Sequence, residues 1–129
     1  MNHVEKLKGV IAHLKESKER IARGWTQQAF ARDTYGTIVD AESPRAVCYC
    51  YKGALRAKVV KTPEAYTFEM DAYDRANAEV SRRGFASIVD FNDRPERTQS
   101  DVIESLNATI AEAEKDLTAA IEAAALELG

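Results

Sequence analysis

Three stretches of this chain hold side chains whose types and spacing could do chemistry. Cys48 and Cys50 stand one residue apart, followed by Lys52 and Gly53. A nearby cation lowers a thiol pKa and a helix start lowers it further, so Cys50 is the nearest approach to an activated nucleophile. It has no base beside it: His3 and His13 are distant in sequence and could reach the thiol only through folding. Free cysteines are most often small buried hydrophobes, and the sequence assigns no catalytic residue. The pair is also two ligands short of a structural zinc site and badly spaced for a mutual disulfide, so neither metal nor cofactor is expected.

Arginine supplies the second kind of chemistry. Arg32 and Arg97 could converge as planar, two-pronged donors on a carboxylate or phosphate, with Trp25 and Phe91 as the apolar wall of the same pocket. Asn92 and Asp93 could hydrogen-bond the polar edge of a ligand, and free backbone amides after Thr98 could face an anion. The plainer reading puts Trp25 and Phe91 in the core, gives Asp33 to a turn beside a solvated Arg32, and leaves Asn92 and Asp93 to organise the approach to the last helix. With Gln27 beside Trp25, the candidate ligand-binding set is Trp25, Gln27, Arg32, Cys50, Phe91, Asn92, Asp93, Arg97 and Thr98. No phosphate-cradling glycine loop, serine elbow or helical His pair is present.

These residues need elements to position them. Val4, Leu7, Ile11, Leu14 and Ile21 trace one apolar helical face, which Gly24 closes as a C′ residue. Residues 26–32 and 37–39 flank Asp33-Thr34-Tyr35-Gly36 and read as a β-hairpin. Ser43-Pro44 is a helix-start signal, followed by Val47, Tyr51, Ala54, Leu55 and Lys58 or Val59 at helical spacing; the run 47–51 also suits a strand, and the helix is preferred. Gly53-Ala54 marks a close helix contact. Thr62-Pro63 opens a third helix through Tyr66, Met70, Tyr73 and Val80 to Gly84. Residues 85–91 stay unassigned, 92–97 read as a polar loop, and Thr98-Gln99-Ser100-Asp101 resembles a capping box. Beyond it Ile103, Leu106, Ile110, Ala113, Leu117, Ala120 and Ala124 repeat over three heptads, so the last helix wants a helical partner.

The segments Trp25-Thr26-Gln27-Gln28-Ala29-Phe30-Ala31-Arg32-Asp33, Cys50-Tyr51-Lys52-Gly53-Ala54-Leu55, Phe91-Asn92-Asp93 and Arg97-Thr98 share a pattern with known proteins. In order and spacing the chain resembles, over about Gly24 to Leu106, a family of small bacterial and bacteriophage proteins of unknown function with W-x-Q-G-A-x-A-R-D, C-x-x-G-A-L, W-N-D and R-T. Gln28 stands where that pattern often has Gly, and Phe91 where it has Trp. The resemblance implies no reaction and transfers no catalytic role; it implies a phage or accessory-genome product.

Length and charge bound the rest. At 129 residues, 45% apolar and 30% charged, the chain is expected to form one globular domain over 1–129. No apolar run nears the roughly 20 residues that span a bilayer, and the first 20 residues lack an apolar signal core, so a cytoplasmic protein with no membrane partner is expected. Residues 1–24 hold six basic side chains against three acidic, whereas 98–129 hold seven acidic against Lys115. No basic stripe with interleaved aromatics points to duplex nucleic acid. The expected fold is mainly α (α+β): a helical domain with one short β-hairpin, its first and last helices packed together or intertwined in a homo-oligomer. The expected function is non-enzymatic binding or sequestering of a small anionic, nucleotide-like ligand. The alternatives are an interaction adaptor using the C-terminal helix and a cysteine-dependent enzyme.

Overall fold

The computed structural model describes residues 1–57 and 61–128. Among them are five helices, α1 (His3–Arg23), α2 (Tyr51–Arg56), α3 (Pro63–Arg82), α4 (Ile88–Asn92) and α5 (Gln99–Leu128), and a small antiparallel sheet in the order β2-β1-β3, formed by β1 (Ala31–Arg32), β2 (Ile38–Val39) and β3 (Cys48–Tyr49), whose β3 packs against α1 and α2. The fold is mainly helical with a short hairpin, and α1 packs on α5. Gln99 at the start of α5 donates to the carbonyl of Ile21 near the end of α1 at 2.6 Å, so the two helices run antiparallel. Val10, Ile11, Leu14 and Ile21 of α1 meet Val102, Leu106, Ile110 and Ala113 of α5 in the core, with Ala72, Ala76 and Val80 of α3.

Local chemistry sets most helix ends. Asn2 and Glu5 form a reciprocal capping box on α1. The Thr62 side chain accepts from the Ala65 N–H, with Pro63 at the first helical position of α3. That helix stops at Gly84, φ 97°, where the Phe85 and Gly84 amides return to the carbonyls of Val80 and Ser81 in a Schellman arrangement. Thr98 and Asp101 cap α5 reciprocally at 3.0 and 3.2 Å. The Thr98 N–H on its carboxylate holds Asp101 below the usual aspartate range.

Four expectations change. The Ser43-Pro44 signal starts a turn, not a helix: Ser43 Oγ accepts from the Arg45 N–H, and the Ala46 N–H returns to the Ser43 carbonyl. Long-range bonds from Val47 to Arg32 O, Tyr49 to Gly24 O and Cys50 to Phe30 O draw the next residues into a strand, and α2 begins only at Tyr51. Lys58 and Val59, the last residues of the expected helix, lie outside the described residues. The first hairpin strand is shorter than expected, because Trp25, Gln27 and Gln28 are held by Asn92, Arg94 and Asp93 at the end of α4, and Thr26 by the Tyr49 carbonyl, instead of by β2. Gly24 ends α1 in an extended conformation (φ −176°), and its lack of a side chain serves a close approach: a Cβ there would sit 2.4 Å from the Val47 carbonyl oxygen. Within the unassigned stretch, Ser87 caps the short α4, whose first amide donates to Asn77 Oδ1.

The charge asymmetry of the two ends is used mainly through a third element. Lys15 and Glu114 join α1 to α5 at 4.0 Å with both side chains exposed, while shorter pairs, Arg75–Asp116 at 2.7 Å and Arg82–Glu112 at 2.5 Å, join α5 to α3.

Candidate functional site

Asn92, fully buried at the end of α4, gathers three separated segments. Its Oδ1 accepts from the Trp25 indole N–H at 2.7 Å and the Tyr51 backbone N–H at 3.0 Å. Its Nδ2 donates to the Thr26 carbonyl at 3.2 Å and to Asp93 Oδ1 at 3.0 Å, so the whole capacity of the amide is used. Gln27 donates through Nε2 to the carbonyls of Asn92 and Arg94. The Gln28 N–H donates to Asp93 Oδ1 at 3.0 Å, and Gln28 has φ 61°, the one positive φ at a non-glycine residue among those described. A left-handed glutamine is strained, and such strain persists only where its surroundings enforce it.

The strained loop forms one lip of a cleft of about 510 Å³ lined by Gln28, Ala29, Phe30 and Ile38 on the hairpin side, Cys50 at the start of α2, and Val89, Asn92 and Asp93 of α4 and its cap. Its volume falls within the range of small-molecule sites. Phe30, Ile38 and Val89 leave 41%, 61% and 40% of their surface exposed around it, and Asp93 is the one charged side chain in its lining among the described residues. Gly53 is what lets α2 approach the loop, since a Cβ there would lie 1.9 Å from the Phe30 carbonyl oxygen. The expected close contact at Gly53-Ala54 is therefore with the loop backbone.

The candidate residues divide into three groups. Cys50, Asn92 and Asp93 line the cleft, and Trp25 and Gln27 brace it through Asn92. Arg32, Phe91, Arg97 and Thr98 lie outside its lining. Arg32 donates to Thr26 Oγ1, the Gly36 carbonyl and the Gln27 carbonyl at 2.9, 3.1 and 3.2 Å, which fastens the hairpin turn. Arg97 donates through Nε to the Phe91 carbonyl at 2.7 Å, stacks 3.9 Å from the centroid of the Phe91 ring, and pairs with Asp101 at 3.5 Å. After Thr98 the Asp101 amide is served by the capping box, and both arginines are held within the chain, with Arg97 Nη2 buried and without a hydrogen-bond partner among the described residues. Phe91 is a core residue, edge-on to both Tyr51 and Phe85.

Cys50 is the N-cap of α2. Its sulfur accepts from the Gly53 N–H at 3.3 Å, and burial pushes the thiol above its ordinary range. Lys52, the expected activating cation, instead lies over the rings of Phe30 and Tyr73. His13 is buried in α1 with Nε2 2.7 Å from the Leu55 carbonyl. Beneath the cleft, Tyr51 Oη lies 2.8 Å from Ser105 Oγ, which donates to Glu79 Oε1 at 2.6 Å; Arg83 Nε donates to the same oxygen at 2.6 Å. Because the single Ser105 hydroxyl hydrogen goes to Glu79, Tyr51 is the donor to Ser105. Burial raises the Tyr51 phenol to about 12.

A family model described as a family of unknown function, DUF6197, matches residues 6–112. The chain belongs to DUF6197. No curated protein and no solved structure is significantly similar to it. The DUF6197 match spans most of α1, the sheet, α2 to α4 and the first half of α5, and so contains every cleft residue. Phe30, Ile38 and Val89, the cleft's apolar walls, escaped the sequence reading. The available sign was Gln28 at a pattern position often occupied by Gly, because glycine adopts a positive φ without steric cost.

Proposed function

We propose that this chain is a non-enzymatic module that binds or sequesters a small molecule in the cleft between the 28–30 loop, Ile38, Cys50 and α4. The observation that carries the reading is the cleft itself: a concave, mostly apolar surface of about 510 Å³ beside a strained backbone residue that Asp93 holds in place. The arginines expected to anchor an anion donate to the chain's own carbonyls and Thr26, which moves the preferred ligand away from the anionic, nucleotide-like class. A catalytic cysteine is disfavoured by the raised Cys50 pKa. The setting that the motif resemblance implies is a phage or accessory-genome product.

The test is thermal unfolding against a metabolite panel, since a ligand that binds only the folded state stabilises it by about 2.7 kcal/mol at 100 times its Kd. A hit should be lost in Val89→Trp, whose indole fills the cleft from an exposed helix position, while the ligand-free melting temperature holds. A panel with no stabilising compound, or hits indifferent to Val89→Trp, would remove the cleft from the account.

A second reading, the interaction adaptor, is favoured by Ile121, Leu126 and Leu128, exposed on the part of α5 beyond its packing against α1 and α3. Sedimentation of the wild type and of Ile121→Glu over a wide concentration range tests its self-associating form. A monomer mass throughout for both would exclude that form.

A further inference from the structure

The cleft holds one carboxylate, and only half of it is committed. Asp93 Oδ1 accepts from the Gln28 N–H and from Asn92 Nδ2, each at 3.0 Å, whereas Oδ2 has no hydrogen bond or ion pair among the described residues. The two donors fix the plane of the group. Its neighbours Phe30, Ile38 and Val89 are apolar, and a carboxylate partly withdrawn from water beside apolar surface attracts a compensating charge. None of the described residues supplies one. Arg94, next in sequence, pairs with Asp90 at 3.1 Å and lies over the Phe85 ring; Lys52 and Arg56 sit over Phe30, outside the cleft lining. The Gln28 side chain, exposed at the lip and without a hydrogen bond among the described residues, offers a second acceptor.

We infer that the cleft selects a protonated amine carried on an apolar body, with the ammonium group on Asp93 Oδ2 and the body against Phe30, Ile38 and Val89. This rests on the cleft being the binding site. It specifies the charge of the ligand, opposite in sign to the one that the arginines suggest in the sequence. An ammonium brings three donors to one free carboxylate oxygen and a nearby carboxamide, whereas an anion of the same shape would face Asp93 directly.

Sets of three compounds matched in shape separate charge from fit: tryptamine, tryptophol and indole-3-propionate, with the corresponding phenyl, cyclohexyl and n-alkyl sets. Each is titrated against the wild-type chain while the backbone amides of Gln28, Ala29 and Asp93 are followed by NMR. The amine of a binding set should bind about tenfold more tightly than its alcohol, the ratio expected of a charged hydrogen bond, and the carboxylate should bind most weakly. Asp93→Asn retains Oδ1 as acceptor for both N–H groups and should abolish the preference of the cleft for the amine over its alcohol. An alcohol or carboxylate that binds as well as its amine would overturn the inference and leave the binding reading standing. If no member of any set perturbs the cleft amides, both fall. The wild-type comparison decides even if Asp93→Asn fails to fold, because it contrasts ligands on one protein.

Discussion

At the scale of single residues, the most consequential side chain is Asn92. Replacing it by Leu keeps the volume but leaves the Trp25 indole N–H and the buried Tyr51 amide without their acceptor, at a cost of about 1–3 kcal/mol for each orphaned group. Urea unfolding should therefore show a clear loss of stability, and the fluorescence of the sole tryptophan should shift in the folded state. An unchanged midpoint would mean that water replaces the amide at no cost. Tyr51 gives a prediction in pH. Its folded pKa of about 12 exceeds the ordinary tyrosine value of 10.0, so its contribution is fully present below pH 10 and is lost as pH rises from 10 through 12. That contribution is on the order of 2–3 kcal/mol for a two-unit shift. Between pH 9 and 12 the wild type should lose stability faster than Tyr51→Phe by that amount, and parallel curves would deny the phenol this role. Arg32 and Arg97, which looked like ligand anchors, are tested by Arg→Lys: the lost planar donors should lower the ligand-free melting temperature.

Among the elements, α5 divides into a packed part and an overhang. Leu106 is fully buried against α1 and α3, so Leu106→Ala should cost about 2–5 kcal/mol, whereas Leu126→Ala, at 81% exposure, should stay within about 0.5 kcal/mol. Equal effects at the two positions would show that the overhang is covered in solution. The heptad pattern foretold a helix with a partner, but it could not say where the partner ends, since Ala120, Ala124 and Ile121 continue the stripe past the packed region. Helix ends were legible wherever the signal is local: Thr62-Pro63, Gly84 and the Thr98/Asp101 box each act within a few residues. The Ser43-Pro44 signal is just as local. There it competes with carbonyls of Gly24, Phe30 and Arg32, each at least 15 residues from the amide that bonds it, and the strand prevails.

For the molecule as a whole, the motif segments at Trp25 and Tyr51 meet the third through Asn92, and Arg97 joins them through the Phe91 carbonyl. What pattern alone could not supply was the surface they leave. Whether Phe30, Ile38 and Val89 are covered depends on the packing of α2 and α4, and a run of residues does not record that. The resulting arrangement couples the cleft to a single backbone hydrogen. The Tyr51 amide opens α2, where no earlier turn of helix offers it a carbonyl, and it is protected instead by Asn92 Oδ1, 41 positions along the chain. Hydrogen–deuterium exchange at this one amide therefore times the parting of α4 from α2. If the cleft opens without unfolding of the bundle, Tyr51 should exchange at a lower free energy than amides in the middle of α5, and a bound ligand should slow Tyr51 while leaving those amides unchanged.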